Sequence, residues 1–442
     1  MGKKKEVKLL SGIEVTGYAA EGKALARHEG KVIFIKGAVP GDVVNLRLTK
    51  SKKDWAEAIV TGFLSFSPDR TTPFCKHFGT CGGCKWQMLP YEKQLEYKQQ
   101  EALDNIQRIG KITPAQIFPI AGADDTKYYR NKLEFTFSNK RYLTEEEIGK
   151  EIEIPQQNAL GYHVPRIFDK VLDIEECYLM DEVNNSIRNS LRKYALENNL
   201  EFYDIRNHTG WLRNVIIRLS TSGELMVNLC LNYEDEEKRK PLLDWLLKEV
   251  PAISTLLYTI NPKFNDTIYD LEPQVYFGNG FITETLGRFK FVISPKSFFQ
   301  TNTRQAEKLY SITKDFAGLA GTETVYDLYC GTGSISIFLS DAAAKIIGVE
   351  VIDEAIKDAR INAEMNGIGH AEFFTGDVIK ICDDAFFEKH GKPDVIITDP
   401  PRAGMHEKLV LKLLDIAAPK IVYVSCNTAT QARDLALLSE KY

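Results

Sequence analysis

The chain has 442 residues, of which 44% are hydrophobic and 26% charged, which excludes a disordered or fibrous protein and exceeds what one core serves, so two or three domains are expected. No apolar run is long enough to span a membrane and the opening MGKKKEVKLL has no secretory apolar region, so the sequence reads as cytoplasmic, away from membranes, with its basic start a solvated tail. A net charge of -5 excludes a protein that coats nucleic acid indiscriminately and confines any such site to a local patch.

Residues 7–66 show short alternating β segments divided by turn chemistry. A hairpin is expected at Gly30, a turn at Pro40-Gly41-Asp42, and strands at 32–35 and 43–48. Five short strands over residues 1–66 suit an oligonucleotide-binding barrel, although a structural spacer barrel reads alike. The exposed-looking Lys50, Lys52 and Lys53 beside Trp55 form a first candidate patch for nucleic acid. Residues 67–90, rich in Pro, Gly and Cys, form a loop module. A helix over 91–109 opens a helical segment, 91–120, expected to pack on the catalytic domain.

An α+β central domain follows over 121–284. It is expected to hold a strand at 129–138, an amphipathic helix at 181–197, and a strand pair at 211–219 and 225–231. Two further basic patches fall here: Arg130 and Lys132 near Tyr128, and Arg206, Arg213 and Arg218 near Trp211. Each alone is a weak signal, because a charge cluster is commonly a wetted face.

Eight cysteines without a secretory leader argue against structural disulfides. Cys75, Cys81 and Cys84 form C-x5-C-x2-C, with Cys177 as a remote fourth member. Four thiolates suit zinc or a cluster. Zinc sites usually pair C-x2-C knuckles, whereas three close cysteines and one distant suit [4Fe-4S]. A fourth ligand closes the open iron that radical chemistry requires, which leaves the cluster to fasten the loop to the central domain. Cys230 and Cys382 lie in apolar runs and read as buried, inert thiols.

From residue 325 the rhythm changes to short apolar strands alternating with helices, at 325–328, 346–351, 372–375, 395–398 and 421–424. This is a parallel, Rossmann-like α/β sheet within a catalytic domain over 285–442. The first strand runs into Asp327-Leu-Tyr-Cys-Gly-Thr-Gly333, whose glycines let backbone approach a ligand at a helix N-terminus. Glu350 ends the second strand, placed to accept both hydroxyls of a ribose, and Asp377 ends the third, where an adenine would sit. The set favours S-adenosylmethionine; a dinucleotide is the rival, but the turn lacks the full G-x-G-x-x-G pattern.

The fourth strand ends in Asp399-Pro400-Pro401-Arg402, whose prolines hold an extended backbone that presents Asp399 to the same crevice. Amine methyltransferases carry an aromatic after such prolines, and Arg402 stands there instead. The fifth ends in Ser425-Cys426-Asn427, placing a thiol at the same rim. Carbon 5 of uracil becomes nucleophilic towards a methyl sulfonium once a thiolate has added at carbon 6, so Cys426 is a candidate nucleophile. The bland reading is a buried strand-end cysteine. Cys330 competes, but its place in the glycine turn suggests packing beneath the donor. Gln300, in Ser297-Phe-Phe-Gln-Thr-Asn302, lies close enough in sequence to reach the donor; Phe298 is placed to stack on a base, and Phe299 reads as core.

Together the barrel, the cysteine set, FFQTN, DLYCGTG, DPPR and VYVSCN resemble the RumA-type RNA (uracil-5-)-methyltransferase family, over nearly the whole chain. The barrel looks like a TRAM domain. The resemblance implies a [4Fe-4S] cluster on Cys75, Cys81, Cys84 and Cys177, donor contacts from Gln300, Tyr329, Ser334, Glu350, Asp377 and Asp399, and Cys426 as nucleophile. It also implies that Phe298 stacks the flipped uracil and that Arg130 and Lys132 lie near the RNA path. Ser334 departs from the family's usual asparagine. Barrel and cluster point to 23S rRNA, acted on by a monomer; a tRNA enzyme and a non-catalytic RNA-binding iron-sulfur protein are the alternatives. The family places its proton-abstracting glutamate beyond Tyr442. A truncated form that adds to uracil without turning over, with an exposed edge on the fifth strand, is therefore expected.

Overall fold

The computed structural model describes residues 8–148 and 157–442; residues 1–7, most of the basic opening, lie outside the described residues. The chain divides into two units. The first contains Met1–Arg108, Thr113–Gly122 and Val164–Arg166, the second Ile109–Ile112, Ala123–His163 and Ile167–Tyr442.

In the first unit, β1 (Leu9–Glu14), β2 (Gly17–Ala19), β3 (Lys23–His28), β4 (Lys31–Lys36), β5 (Val43–Ser51) and β6 (Trp55–Ser65) form one sheet in the order β1-β5-β6-β4-β3-β2. It has one strand more than expected because the chain changes partners at its start: the Val15 amide donates to Asp42 O and the Thr16 amide to Leu25 O. Ala24, Ala26, Ile33, Ile35, Val44 and Leu46 alternate into the core, as a period of two requires. Glu29 and Gly30, with φ of 48° and 75°, make the two-residue hairpin, the geometry that matches strand twist. Helix α1 (Tyr91–Arg108) also belongs here, with the Tyr97 ring 4.9 Å from that of Tyr18. Within this unit the helix sets the half-buried Tyr97 edge-on against Tyr18 of β2.

The second unit opens with β7 (Lys132–Ser138), α2 (Glu145–Ile148), β8 (Ala159–His163), β9 (Val171–Asp173), α3 (Val183–Glu197), β10 (Leu212–Leu219), β11 (Leu225–Leu231), α4 (Glu236–Glu249), β12 (Ile253–Ile260) and β13 (Gln274–Phe277). Its strands form a seven-stranded sheet in the order β13-β12-β11-β10-β7-β8-β9. The two faces differ in chemistry. Leu133, Phe135, Phe137, Val215, Ile217 and Leu229 are buried on one, covered by α3 and α4, whose Tyr194 and Trp245 rings stack at 4.4 Å. The register puts Lys132, Glu134 and Thr136 on the other, opposite Arg218, Ile216 and Asn214.

A hairpin of β14 (Ile282–Leu286) and β15 (Phe289–Ile293) leads to α5 (Thr303–Ala317), β16 (Thr324–Leu328), α6 (Ser334–Leu339), β17 (Lys345–Glu350), α7 (Asp353–Met365), β18 (Ala371–Thr375), α8 (Val378–Ile381), α9 (Asp384–His390), β19 (Val395–Thr398), α10 (Glu407–Ile416), β20 (Lys420–Tyr423) and α11 (Thr428–Leu438). The last five strands are parallel and ordered β18-β17-β16-β19-β20. Alternate residues feed two cores: Val325, Ile346 and Ile397 meet α5, α6 and α7 on one side, and Tyr326, Ile347 and Ile396 meet α10 on the other. The strand order reverses between β16 and β19, where open α/β sheets place their ligands. Among the described residues β20 is a sheet edge, and no helix is long and apolar enough to cross a membrane.

Candidate active site

The turn after β16 winds through left-handed backbone at Tyr329, Gly331 and Gly333, with φ of 64°, 55° and 74°. Tyr329 is the costly member, since a side chain there is disfavoured and such strain collects where a ligand must be approached closely. A side-chain carbon at Gly331 would meet nothing within 4 Å, so the space above the turn is open. Asp327, fully buried, accepts from both the amide and the hydroxyl of Ser336 and so fastens α6. Its other oxygen, Oδ1, is buried without a hydrogen-bond partner among the described residues. Burial pushes this carboxyl up to about 7, with Asp399 and Glu350 adding to the rise.

Around this turn the strand ends stand in a row. Glu350 accepts from the amides of Val351 and Ile352 and, through its other oxygen, from Gly331 at 3.3 Å. That leaves lone pairs on the side of the glycine turn, as diol recognition requires. Asp377 is exposed and lies two residues past β18, capping the short α8 through Ile379. Asp399 donates its amide to Leu328 O at 3.3 Å, and burial pushes its carboxyl up to about 6. An open space flanked by buried carboxylates, one with an orphan oxygen, fits a cationic donor with a diol.

Cys426 is exposed, contrary to the bland expectation of burial. Its turn is fixed to the Asp399-Pro-Pro-Arg loop: Asn427 Nδ2 donates to Arg402 O at 3.0 Å and Thr430 Oγ1 to the same oxygen at 3.3 Å. Arg433 donates to the carbonyls of Ala403 and Met405, while Asp434 accepts from the Met405 amide and the Tyr423 hydroxyl. Sequence marks Asn427 and Arg402 only as motif members and leaves out Thr430, Arg433 and Asp434; the cue to the anchor was Asn427 at a helix N-cap position. Cys330 is buried and burial pushes its thiol well up. Cys230 and Cys382 are buried too.

Phe298 and Phe299 part company: Phe298 is 68% exposed, while Phe299 is buried against Phe291. The Gln300 carbonyl accepts from Asn131 Nδ2 at 2.8 Å, and the Asn131 amide donates to Thr301 O. Asn131, overlooked between two cations, therefore ties the start of β7 to the segment carrying Gln300. Ser334 shares a 2.9 Å hydrogen bond with the buried Tyr310.

Arg130 lines a cleft of about 640 Å³ with Lys127, Tyr128, Asn131, Asn302 and Arg304. Lys132 is half-buried on the sheet face, and burial beside Arg218 lowers its pKa. The third patch is corrected by the structure. Trp211, Arg213 and Arg218 are buried, because they lie in or beside a central strand covered on both faces. Arg213 donates to the carbonyls of Asn261, Lys263 and Asn265 and pairs with Asp266; Arg218 donates to Ser297 O at 2.6 Å. Only Arg206 of that patch is exposed, paired with Asp169. Lys50, Lys52 and Lys53 are exposed, with the Lys50 ammonium 4.8 Å from the Trp55 ring.

Cys75, Cys81 and Cys84 occupy one loop of the first unit, where the Gly83 amide donates to Cys81 Sγ at 3.4 Å; Cys177 is buried in the second. The four thiols have the donor chemistry a cluster needs. Among the described residues, however, no group of three or more His, Cys, Asp or Glu is arranged to hold a metal ion.

Residues 271–442 match the family model described as tRNA (Uracil-5-)-methyltransferase. An uncharacterized RNA methyltransferase of Bacteroides thetaiotaomicron is 52% identical over 96% of this chain and 94% of its own length. One of Porphyromonas gingivalis is 48% identical over 96% and 93%. The crystal structure of the Pyrococcus abyssi tRNA (uracil-54, C5)-methyltransferase in complex with S-adenosyl-L-homocysteine superposes with a TM-score of 0.72, at 25% identity, over 96% of this chain and 93% of that one. With a doubly wound sheet, an open glycine turn and an exposed thiol on one rim, the chain belongs to the S-adenosylmethionine-dependent RNA (uracil-5-)-methyltransferase family.

Proposed function

We propose that the chain methylates carbon 5 of one uridine in structured 23S rRNA, as a monomer, through a covalent adduct with Cys426. The observation that carries this reading is the exposed Cys426 thiol, on a turn bonded to the loop that follows Asp399. Glu350 holds the donor ribose, Asp377 the adenine side, and Tyr329, Ser334, Gln300 and Asp399 surround the remainder; bound there, S-adenosylmethionine supplies an electrophilic methyl group. Phe298 stacks the flipped uracil. The Cys426 thiolate adds to ring carbon 6, and the carbon 5–carbon 6 electron pair moves into an enolate. Carbon 5 then takes the methyl group, leaving S-adenosylhomocysteine. Loss of the carbon 5 proton to a base, with expulsion of the thiolate, restores the ring. Arg130 guides the RNA from its cleft, with Lys132 beside it.

The barrel-like sheet and the cysteine-rich loop support rRNA as target. A tRNA uridine is the second reading, favoured by the description of the matching family model and by the Pyrococcus enzyme. Mapping 5-methyluridine in both RNAs, in cells with and without the gene, tests the proposal. Loss confined to one 23S rRNA position is expected, and loss confined to tRNA overturns the rRNA assignment. A non-catalytic RNA binder would keep its role in a Cys426→Ala strain. We also propose that Cys75, Cys81, Cys84 and Cys177 bind a [4Fe-4S] cluster that holds the loop, supported by their spacing and thiol chemistry. Iron and sulfide near four each per anaerobically purified chain are expected, and zinc in their place overturns it.

A further inference from the structure

Three large aromatic rings of the second unit stand far out of the protein: Phe264 is 74% exposed, Tyr269 68% and Phe298 68%. Leaving such rings in water forgoes a large hydrophobic gain, and exposed aromatics on joined segments mark a contact surface. All three are held by internal pins. Buried Arg213 grips three carbonyls of the 261–265 loop that carries Phe264. Buried Arg218 grips Ser297 O, next to Phe298. Lys296 Nζ donates to Leu271 O at 3.1 Å, so the segments bearing Tyr269 and Phe298 are joined. The His208 ring stacks on Phe264 at 4.1 Å, supporting it from within the fold.

The cations on and beneath this surface are already matched. Lys263 pairs with Asp270, Lys296 with Glu272 and Arg213 with Asp266. A neutral surface of rigid, outward rings suits the faces of nucleobases and gives phosphates little to bind, since every base offers a π-face whatever its sequence.

We propose that Phe264 and Tyr269 are stacking platforms for unpaired nucleotides flanking the reacting uridine, continuous with Phe298. The occupant is single-stranded RNA because the Lys263–Asp270 pair and the Lys296–Leu271 bond join the segments bearing Phe264 and Tyr269 to the one bearing Phe298, the residue placed at the target base. The inference rests on the uridine reading above. The arginines that a sequence reading assigns to phosphate serve here as fasteners that present aromatic rings.

The test is fluorescence anisotropy of the full chain with a mixed-sequence single-stranded oligoribonucleotide over a range of salt, for Phe264→Ala, Tyr269→Ala and Tyr269→Phe. Each alanine variant is expected to bind about tenfold more weakly. Tyr269→Phe should bind as the parent does, and the salt slope should not change. Donor binding, followed by equilibrium dialysis with S-adenosylmethionine, should be retained in all three. Parental RNA affinity in both alanine variants overturns the proposal. So does an equal loss in Tyr269→Phe, or a loss that removes donor binding as well, which would make the rings structural. The readout is binding alone: continued methyl transfer by Cys426→Ala would sink the adduct mechanism while leaving the platforms standing.

Discussion

The parallel sheet at the end of the chain and the mixed sheet in its middle, antiparallel but for the β11–β12 pair, treat polar residues in opposite ways. In the first, the motif carboxylates and Cys426 sit at or just beyond strand ends, where Gly and Pro turns lift them to one rim. In the second, Arg213 and Arg218 sit inside β10 and are buried as hydrogen-bonding struts. A side chain beyond a strand end takes its direction from the next few residues. One within a strand takes it from register and from whatever covers that face, which is decided far away in the chain.

The sharpest way to break this contrast is Cys426→Ala. A rim residue that works by chemistry should lose methyl transfer by roughly 10⁴-fold or more, measured by tritium release or label transfer. Its unfolding midpoint in urea should hardly move, because the side chain is exposed. Retained methylation would remove Cys426 from the mechanism.

Arg213→Ala examines the other side of the contrast. Removing a buried guanidinium that satisfies several carbonyls and Asp266 should destabilise the chain by about 3 kcal/mol in urea unfolding. The salt dependence of RNA binding should be unaffected. A phosphate contact would do the reverse, sparing stability and reducing the slope by about one.

Acidity separates the regions next. Asp327 and Asp399 are raised to about 7 and about 6, chiefly by burial, from the ordinary range near 4. Their folded values exceed the unfolded ones, so the folded chain holds extra protons between about pH 4 and 7. The stability they contribute is complete below pH 4 and is lost as pH rises through 6 to 7. Affinity for the cationic donor should move the opposite way, rising about tenfold from pH 5 to 8 as the carboxylates ionise. Calorimetric titration of Asp399→Asn should give a flatter profile, and an unchanged one would exclude Asp399 from the donor site.

The smallest effect belongs to a purely local signal. Gly30→Ala meets no neighbour within 4 Å, so only its φ of 75° resists the methyl group. A loss of about 1 kcal/mol by thermal unfolding is expected. A substantially larger loss would mean that the hairpin answers to packing after all.

What could be read in advance follows the same division. The five parallel strands fell within a residue of expectation because short apolar runs between turns define themselves. The separate fates of Phe298 and Phe299 were legible because neighbours in an extended segment face opposite ways. The pinning of Asn131 to Gln300 and Thr301 was not, since the partners are about 170 residues apart in the chain. Nor was the clamp formed by Arg433 and Asp434, which exists only once α11 has packed beside the loop after β19.

Those Asn131 bonds bear on how such enzymes can be rebuilt. A chimera cut near residue 285, where sequence suggests a clean seam, would split the three Asn131 hydrogen bonds between two relatives, together with the Arg218–Ser297 and Lys296–Leu271 bonds. Grafts that carry residue 131 together with the 300–303 segment keep the Asn131 bonds within one inheritance. Exchange of target preference by swapping halves should therefore succeed more often when that small module travels intact.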